Sequence, residues 1–150
     1  MPPREPTLRE RALRFLAARE HSRSELKRKL SSHAESAEIL EALLEELAGA
    51  NRLSDARYAE MRSHVMSRKY GASRIAYELR SKGVSEEEAQ HAVQAARDTD
   101  LERAREVYNR KFRNAVSSRE DRAKRIRFLQ SRGFSFDVIK VVLQGVEDGH

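Results

Sequence analysis

The sequence contains no cysteine and no tryptophan. Without cysteine there is no disulfide, no thiolate metal ligand and no thiol nucleophile. Proline is confined to positions 2, 3 and 6, so the residue most hostile to helix interiors is missing from the rest of the chain. No stretch approaches the roughly 18 consecutive apolar residues that a membrane span requires. The opening Met1-Pro2-Pro3-Arg4-Glu5-Pro6 lacks the apolar segment of a signal peptide. A cytoplasmic protein with no membrane partner is the expectation. Aromatic residues are only 6%, too few for an aromatic ligand cage, and the six glycines stand apart, so no glycine-rich phosphate loop exists. With 39% hydrophobic and 36% charged residues, the chain is lean in apolar content for one thick core. A stack of thin helical layers suits it better.

What remains reads as helix throughout. Gly49, Gly71, Gly83 and Gly133 fall between stretches of helical period and are expected to mark helix ends, while Gly145 and Gly149 lie near the C-terminus. The pattern predicts nine helices, over 8–20, 23–32, 36–48, 55–70, 73–82, 86–97, 100–113, 119–132 and 136–145. The third is the clearest: Ile39, Leu40, Leu43, Leu44 and Leu47 form an apolar stripe opposed by Glu38, Glu41, Glu45 and Glu46. Ser22 followed by Glu25 makes a capping box that fixes the second helix start.

An internal repeat near 50 residues organises these helices. Glu78-Leu79-Arg80-Ser81-Lys82-Gly83-Val84-Ser85 is matched, 50 positions on, by Phe128-Leu129-Gln130-Ser131-Arg132-Gly133-Phe134-Ser135. Each position has a reason. Leu79 and Leu129 lie in a last helical turn. Lys82 and Arg132 complement the negative end of a helix dipole. Gly83 and Gly133 take the left-handed cap, Val84 and Phe134 fold back on the leucines, and Ser85 and Ser135 cap the next helix. Ile39, Ala89 and Ile139 share the spacing, as do Leu43, Val93 and Leu143. The first unit fits less well: Leu30 precedes Leu79 by 49, and His33-Ala34-Glu35-Ser36 replaces the glycine turn. Terminal repeats are often atypical. The expected architecture is all-α, three tandem three-helix repeats in an elongated, curved array. Its units are 8–52, 53–98 and 99–146, with short tails at 1–7 and 147–150.

Charge follows the repeat. The net charge is +6, a balance that favours polyanionic partners. Residues 9–29 carry eight Arg or Lys against three acids, residues 57–82 seven against two, and residues 101–133 eleven against four. The third helices of the first two units reverse the sign, with five acids each over 35–48 and 85–100. Any single cluster reads as a solvated face; three in register suggest a basic strip. The candidate contact residues for a partner or nucleic acid are a central set, Arg57, Arg68, Lys69, Arg74, Arg80 and Lys82, and a C-terminal set, Arg122, Lys124, Arg125, Arg127 and Arg132. Lys82 and Arg132 have a purely structural explanation as well, at helix C-termini.

No catalytic constellation emerges. His21, His33, His64, His91 and His150 show no i, i+4 pairing with a glutamate of the kind a helical zinc site uses, and His21 reads as a packing or turn residue. Glu86-Glu87-Glu88 lies in a first helical turn, where acids complement the dipole. Tyr58 falls on a stripe with Met61 and Val65 and reads as core rather than as a base-stacking platform; Tyr70, before Gly71, is less decided. Neither an enzyme nor a bound cofactor or metal is expected.

Four segments resemble the RecX family. They are Ala12 to Leu30, including Phe15-Leu16 and Ser22-Arg23-Ser24-Glu25-Leu26; Leu53-Ser54-Asp55-Ala56-Arg57-Tyr58-Ala59-Glu60; Gly71-Ala72-Ser73-Arg74-Ile75-Ala76-Tyr77-Glu78-Leu79-Arg80-Ser81-Lys82-Gly83-Val84; and Arg127-Phe128-Leu129-Gln130-Ser131-Arg132-Gly133-Phe134. Together they span about residue 8 to residue 146 in the family's order. The resemblance implies tandem three-helix repeats and a regulator of the RecA recombinase in DNA repair, homologous recombination and the SOS response. Such a regulator lodges in the groove of the RecA filament, mostly inhibits its ATPase, strand-exchange and coprotease activities, and blocks its extension or favours its disassembly. The expected partners are the RecA filament and, weakly and without sequence preference, single- or double-stranded DNA; the expected state is a monomer. The sequence departs from the family in the missing glycine of the first unit and the short loop Arg113–Ser118. Two other classes remain open: a stand-alone DNA-binding protein using its middle helices like helix-turn-helix elements, and a generic helical scaffold.

Overall fold

Hydroxyl side chains set most of the helix starts. Thr7, Ser22, Ser36, Ser54, Ser85, Ser118 and Ser135 each accept a hydrogen bond from the backbone N–H three residues on, satisfying a donor that a helix leaves orphaned. In the computed structural model, which describes residues 3–147, these caps open α1 (Leu8–Ala18), α2 (Arg23–Leu30), α3 (Ala37–Gly49), α4 (Asp55–Met66), α6 (Glu86–Asp98), α8 (Arg119–Ser131) and α9 (Phe136–Glu147). The other two helices, α5 (Ala72–Ser81) and α7 (Asp100–Lys111), begin at Gly71 and Thr99 with no side-chain cap. For α5 the missing cap is replaced from another repeat: the Ala72 N–H meets the carboxylate of Asp100 at 3.3 Å. No strand occurs among the described residues. Met1, Pro2, Asp148, Gly149 and His150, and with them the outer parts of both expected tails, lie outside the described residues.

The expected glycine turns are present where the repeat is strict. Gly83 has φ +84° and Gly133 φ +94°. Val84 N–H donates to the Leu79 carbonyl at 3.1 Å and Phe134 N–H to that of Leu129 at 3.2 Å, the six-residue closure of a Schellman cap. Both leucines are fully buried and both closing residues nearly so. Two other glycines behave differently. Gly49 is the last residue of α3, as expected, but the left-handed position beyond it belongs to Asn51, φ +60°; asparagine tolerates that region because its short amide bonds locally. Gly71 starts a helix rather than ending one. The fourth helix stops at Met66, short of the expected 70, and a turn over 67–69 follows.

Three separate cores result. Leu26, Leu30, Leu40, Leu44 and Leu47 centre the first, Tyr58, Ile75, Leu79, Ala89 and Val93 the second, and Tyr108, Leu129, Ile139 and Leu143 the third. Ala12, Ala59 and Ala104 are wholly buried, one in each first helix. One register expectation fails. Ala89 and Ile139 are fully buried but Ile39 is 48% exposed. In the first unit a 3₁₀ turn, Ser31–His33, takes the place of the glycine cap. The equivalent residues are therefore Leu40, Ala89 and Ile139, and Leu44, Val93 and Leu143, spaced 49 and then 50, and all six are buried. Val65, expected on the Tyr58 stripe, is likewise exposed. The accessible surface is 9727 Å², against roughly 7,800 Å² for a compact chain of this mass. The repeats thus form an extended row rather than a ball.

Candidate functional site

The middle helices of the repeats run head to tail, and this arrangement builds the site. Ser22, the cap of α2, donates its hydroxyl to the Lys82 carbonyl at 2.7 Å. One repeat later, the Gly71 N–H donates to the Arg132 carbonyl at 2.7 Å, and the Arg74 guanidinium donates to that of Ser131 at 2.9 Å. The positive end of each middle helix thus faces the negative end of the next, an attractive pairing. Contact is tight. A Cβ on Gly83 would sit 2.2 Å from the Ser24 hydroxyl, and one on Gly133 would sit 2.3 Å from the Arg74 Cβ.

Beside each junction lies a groove, and the two are counterparts. The first, about 240 Å³, is lined by Arg19, Glu25, Tyr58, Met61, Arg62, Glu78 and Lys82. The second, about 200 Å³, is lined by Arg68, Lys69, Val107, Arg110, Lys111, Phe128 and Arg132. Lys82 and Arg132 are 50 apart, as are Glu78 and Phe128; Arg19 and Arg68 are 49 apart. Their electrostatics differ. In the first groove Arg19 pairs with Glu25 at 2.7 Å and Arg62 with Glu78 at 3.6 Å. Burial alone would raise the Glu25 carboxyl, but the Arg19 hydrogen bond and charge hold it below its ordinary value. In the second groove no carboxylate lines the walls. Among the described residues the only ion pair reaching its five cations is Arg110 with Glu106, at 3.8 Å.

Aromatic rings hold these cations in place. Arg74 lies over Tyr70 at 5.1 Å, Arg132 lies over Tyr70 at 5.5 Å and over Phe128 at 5.1 Å, and Lys111 lies over Phe128 at 5.7 Å. Arg74, Tyr70, Arg132, Phe128 and Lys111 thus alternate charge and ring across the second junction. Beneath the ladder Arg103 ties the repeats together. It donates to the carbonyls of Ser67 and Ala96 at 2.8 and 2.7 Å, to Tyr70, and to Asp100. Burial pushes the Asp100 carboxyl up, against the opposing pull of Arg103.

The eleven cations expected to make contacts separate into groups. Arg68, Lys69 and Arg132 meet in the second groove, and Arg74 stands at its edge in the ladder. Lys82 lines the first groove. Lys124 and Arg127 are exposed on α8 with no ion pair among the described residues. Arg80 pairs with Glu86 at 3.2 Å and Arg122 with Glu147 at 2.7 Å. Arg57 binds Glu20 and both oxygens of Asn51, fastening repeat 1 to repeat 2. Arg125 differs most from expectation: it is 4% exposed. It donates to the Tyr108 hydroxyl and the Asn114 and Ala115 carbonyls, and pairs with Asp121. It fills the place held by Leu26 and Ile75 in the other repeats, 49 and 50 positions apart, so it is a core residue and cannot reach a partner. Sequence reasoning missed Arg110, Lys111 and Phe128. The signal that could have found them is the junction register itself, which brings the residues ending α4, α7 and α8 together. Among the described residues no group of three His, Asp or Glu is placed to hold a metal, and none of the helices is long and apolar enough to cross a membrane.

Fold and groove together define a tandem three-helix repeat protein with charged inter-repeat junctions. Comparison with known proteins agrees repeat by repeat. Residues 9–47, 54–93 and 98–143 match the family models described as the first, second and third three-helix domains of RecX. The chain belongs to the RecX family. It is similar to the regulatory protein RecX of Leptothrix cholodnii, 44% identical over 96% of this chain and 92% of that one. It is similar also to that of Ralstonia nicotianae, 39% identical over 97% and 92%. Among solved structures, a crystal structure of regulatory protein RecX superposes with a TM-score of 0.79 at 25% identity, covering 94% of this chain and 71% of that one. RecX from Lactobacillus salivarius shares the fold, with a TM-score of 0.80 at 24% identity over 93% and 94%.

Proposed function

We propose that this protein is a non-enzymatic regulator of RecA that binds the RecA–DNA filament in the cytoplasm as a monomer and inhibits ATP hydrolysis, strand exchange and coprotease activity. It blocks filament extension or favours disassembly, and its own contact with DNA is weak and indifferent to sequence. The observation that carries this reading is the match of all three repeats, in order, to the RecX domains. The architecture supports it physically. An extended row of repeats spans more than one protomer of a polymeric partner without a large core, and several moderate contacts along one filament add. The test is RecA ATPase on single-stranded DNA with purified protein. Substoichiometric addition is expected to lower turnover and shorten filaments under the electron microscope; unchanged turnover and filament length at a large excess over filament ends would overturn the proposal.

The helix-turn-helix alternative finds less support. A recognition helix offers its N-terminal residues to base edges. Here the N-termini of α2 and α5 are packed against the next repeat, with Ser22 and Ala72 almost fully buried.

A further inference from the structure

We propose that the groove between the second and third repeats is a binding site for neighbouring phosphate groups, and that filling it clamps repeat 3 onto repeat 2. This deepens the filament reading by naming a ligand for the same surface. The comparison between grooves carries the argument. The same place in the repeat occurs twice. At the first junction Glu25 and Glu78 pair with the local arginines. At the second, the position of Glu78 is taken by Phe128 and no acid lines the walls. Here five cations converge and an aromatic floor fixes two of them, Arg132 and Lys111, in place of carboxylates.

The opposing effect is the helix dipole. Arg68 and Lys69 follow the end of α4, Arg110 and Lys111 end α7, and Arg132 caps α8. Three helix C-termini supply about half a negative charge each, some −1.5 in all, and the α5 N-terminus that faces α8 returns about +0.5. Adding Glu106, the five cations keep an excess of about +3, which suits two or three phosphodiester charges or one polyphosphate. Cations held on rings are already ordered, so a bound anion does not need to freeze long side chains. The clamp follows from where the cations come from: Arg68 and Lys69 belong to repeat 2, and Arg110, Lys111 and Arg132 to repeat 3. An anion touching both sides favours the docked junction over the open one. Two sources offer this chemistry, the backbone of a nucleic-acid strand and a free polyphosphate.

The experiment uses the full chain alone, without RecA. Inorganic tripolyphosphate and a short labelled oligothymidylate are titrated separately by calorimetry and anisotropy. Lys69→Glu with Lys111→Glu is expected to weaken binding at least about tenfold. Arg105→Glu, an exposed cation on another face of α7, is expected to change it less than about twofold, as surface changes usually do. The reporter of the clamp is the Gly71 amide, which donates across the junction to Arg132. With tripolyphosphate at about ten times its Kd, its hydrogen exchange in the unaltered protein is expected to slow about tenfold, while that of Arg23, in the first repeat, stays unchanged. This arm needs no variant and survives any folding defect of the double substitution. Equal losses in both charge variants, no binding by the unaltered protein, or an unmoved Gly71 amide would each overturn the proposal. Tighter binding of oligothymidylate makes a strand the ligand and tighter binding of tripolyphosphate makes it a free anion; both support the site. Anion binding without RecA inhibition would sink the filament reading alone, and RecA inhibition without anion binding would sink the groove alone.

Discussion

Two buried polar residues show how a side chain's surroundings override its type. His21 is 1% exposed. Its Nδ1–H donates to the Arg19 carbonyl at 3.0 Å and its Nε2 accepts from the Lys29 ammonium at 2.8 Å, an arrangement that needs a neutral ring. Burial, foremost, pushes its pKa below the ordinary value of 6.5. The sign then follows. As pH falls below about 6.5 the unfolded chain takes up a proton that the folded protein refuses, so stability is full above that pH and declines below it. An NMR titration is expected to show the His21 ring still neutral where unfolded histidines are half protonated; a midpoint at or above 6.5 would refute this. Arg125 is the second case. Truncation to alanine leaves the Tyr108 hydroxyl and the Asn114 and Ala115 carbonyls without this donor, while Asp121 keeps its bonds from Ser117, and is expected to cost about 3 kcal/mol in urea unfolding. Arg127→Ala, on the same helix but exposed, is expected to stay within about 0.5 kcal/mol; equal effects would show that the buried network contributes nothing.

At the scale of elements, the helices are strictly punctuated and their glycines are not interchangeable. Gly133 combines a left-handed backbone with a close approach to Arg74. Gly133→Ala therefore meets a conformational penalty of about 1–2 kcal/mol and also wedges the second junction open, so the melting temperature is expected to fall and the Gly71 amide to exchange faster. Gly49 is the last residue of α3, with open space around it and no left-handed backbone, and Gly49→Ala is expected to stabilise by about 0.5 kcal/mol. Calorimetric melts of the pair should move in opposite directions. Most of these helices were legible in the sequence, because serine caps, apolar spacing and proline's absence are local signals. The end of α4 was not: nothing local stops a helix at Met66, and the turn is held by Arg103, which lies 37 positions later.

At the scale of the whole molecule, three small cores joined through polar junctions make a long object. X-ray scattering is expected to give a radius of gyration clearly above the roughly 15 Å of a compact chain of this length; a value at 15 Å would contradict the extended row. The same architecture explains why the basic strip resolves unevenly. Repeated cations face repeated environments, but carboxylates line the groove at the first junction and not the groove at the second. Five of the chain's cations therefore meet without a carboxylate among them, in the groove between repeats 2 and 3.

By itself the sequence determined the helices, the repeat and its family, because caps, apolar period and the glycine turn act within a few residues of themselves. Tertiary structure alone decided the one-residue offset of the first unit, the burial of Arg125 and the meeting of Arg68 and Lys69 with Arg110, Lys111 and Arg132. Those outcomes depend on how one repeat docks on the next, and docking is set by contacts between residues tens of positions apart.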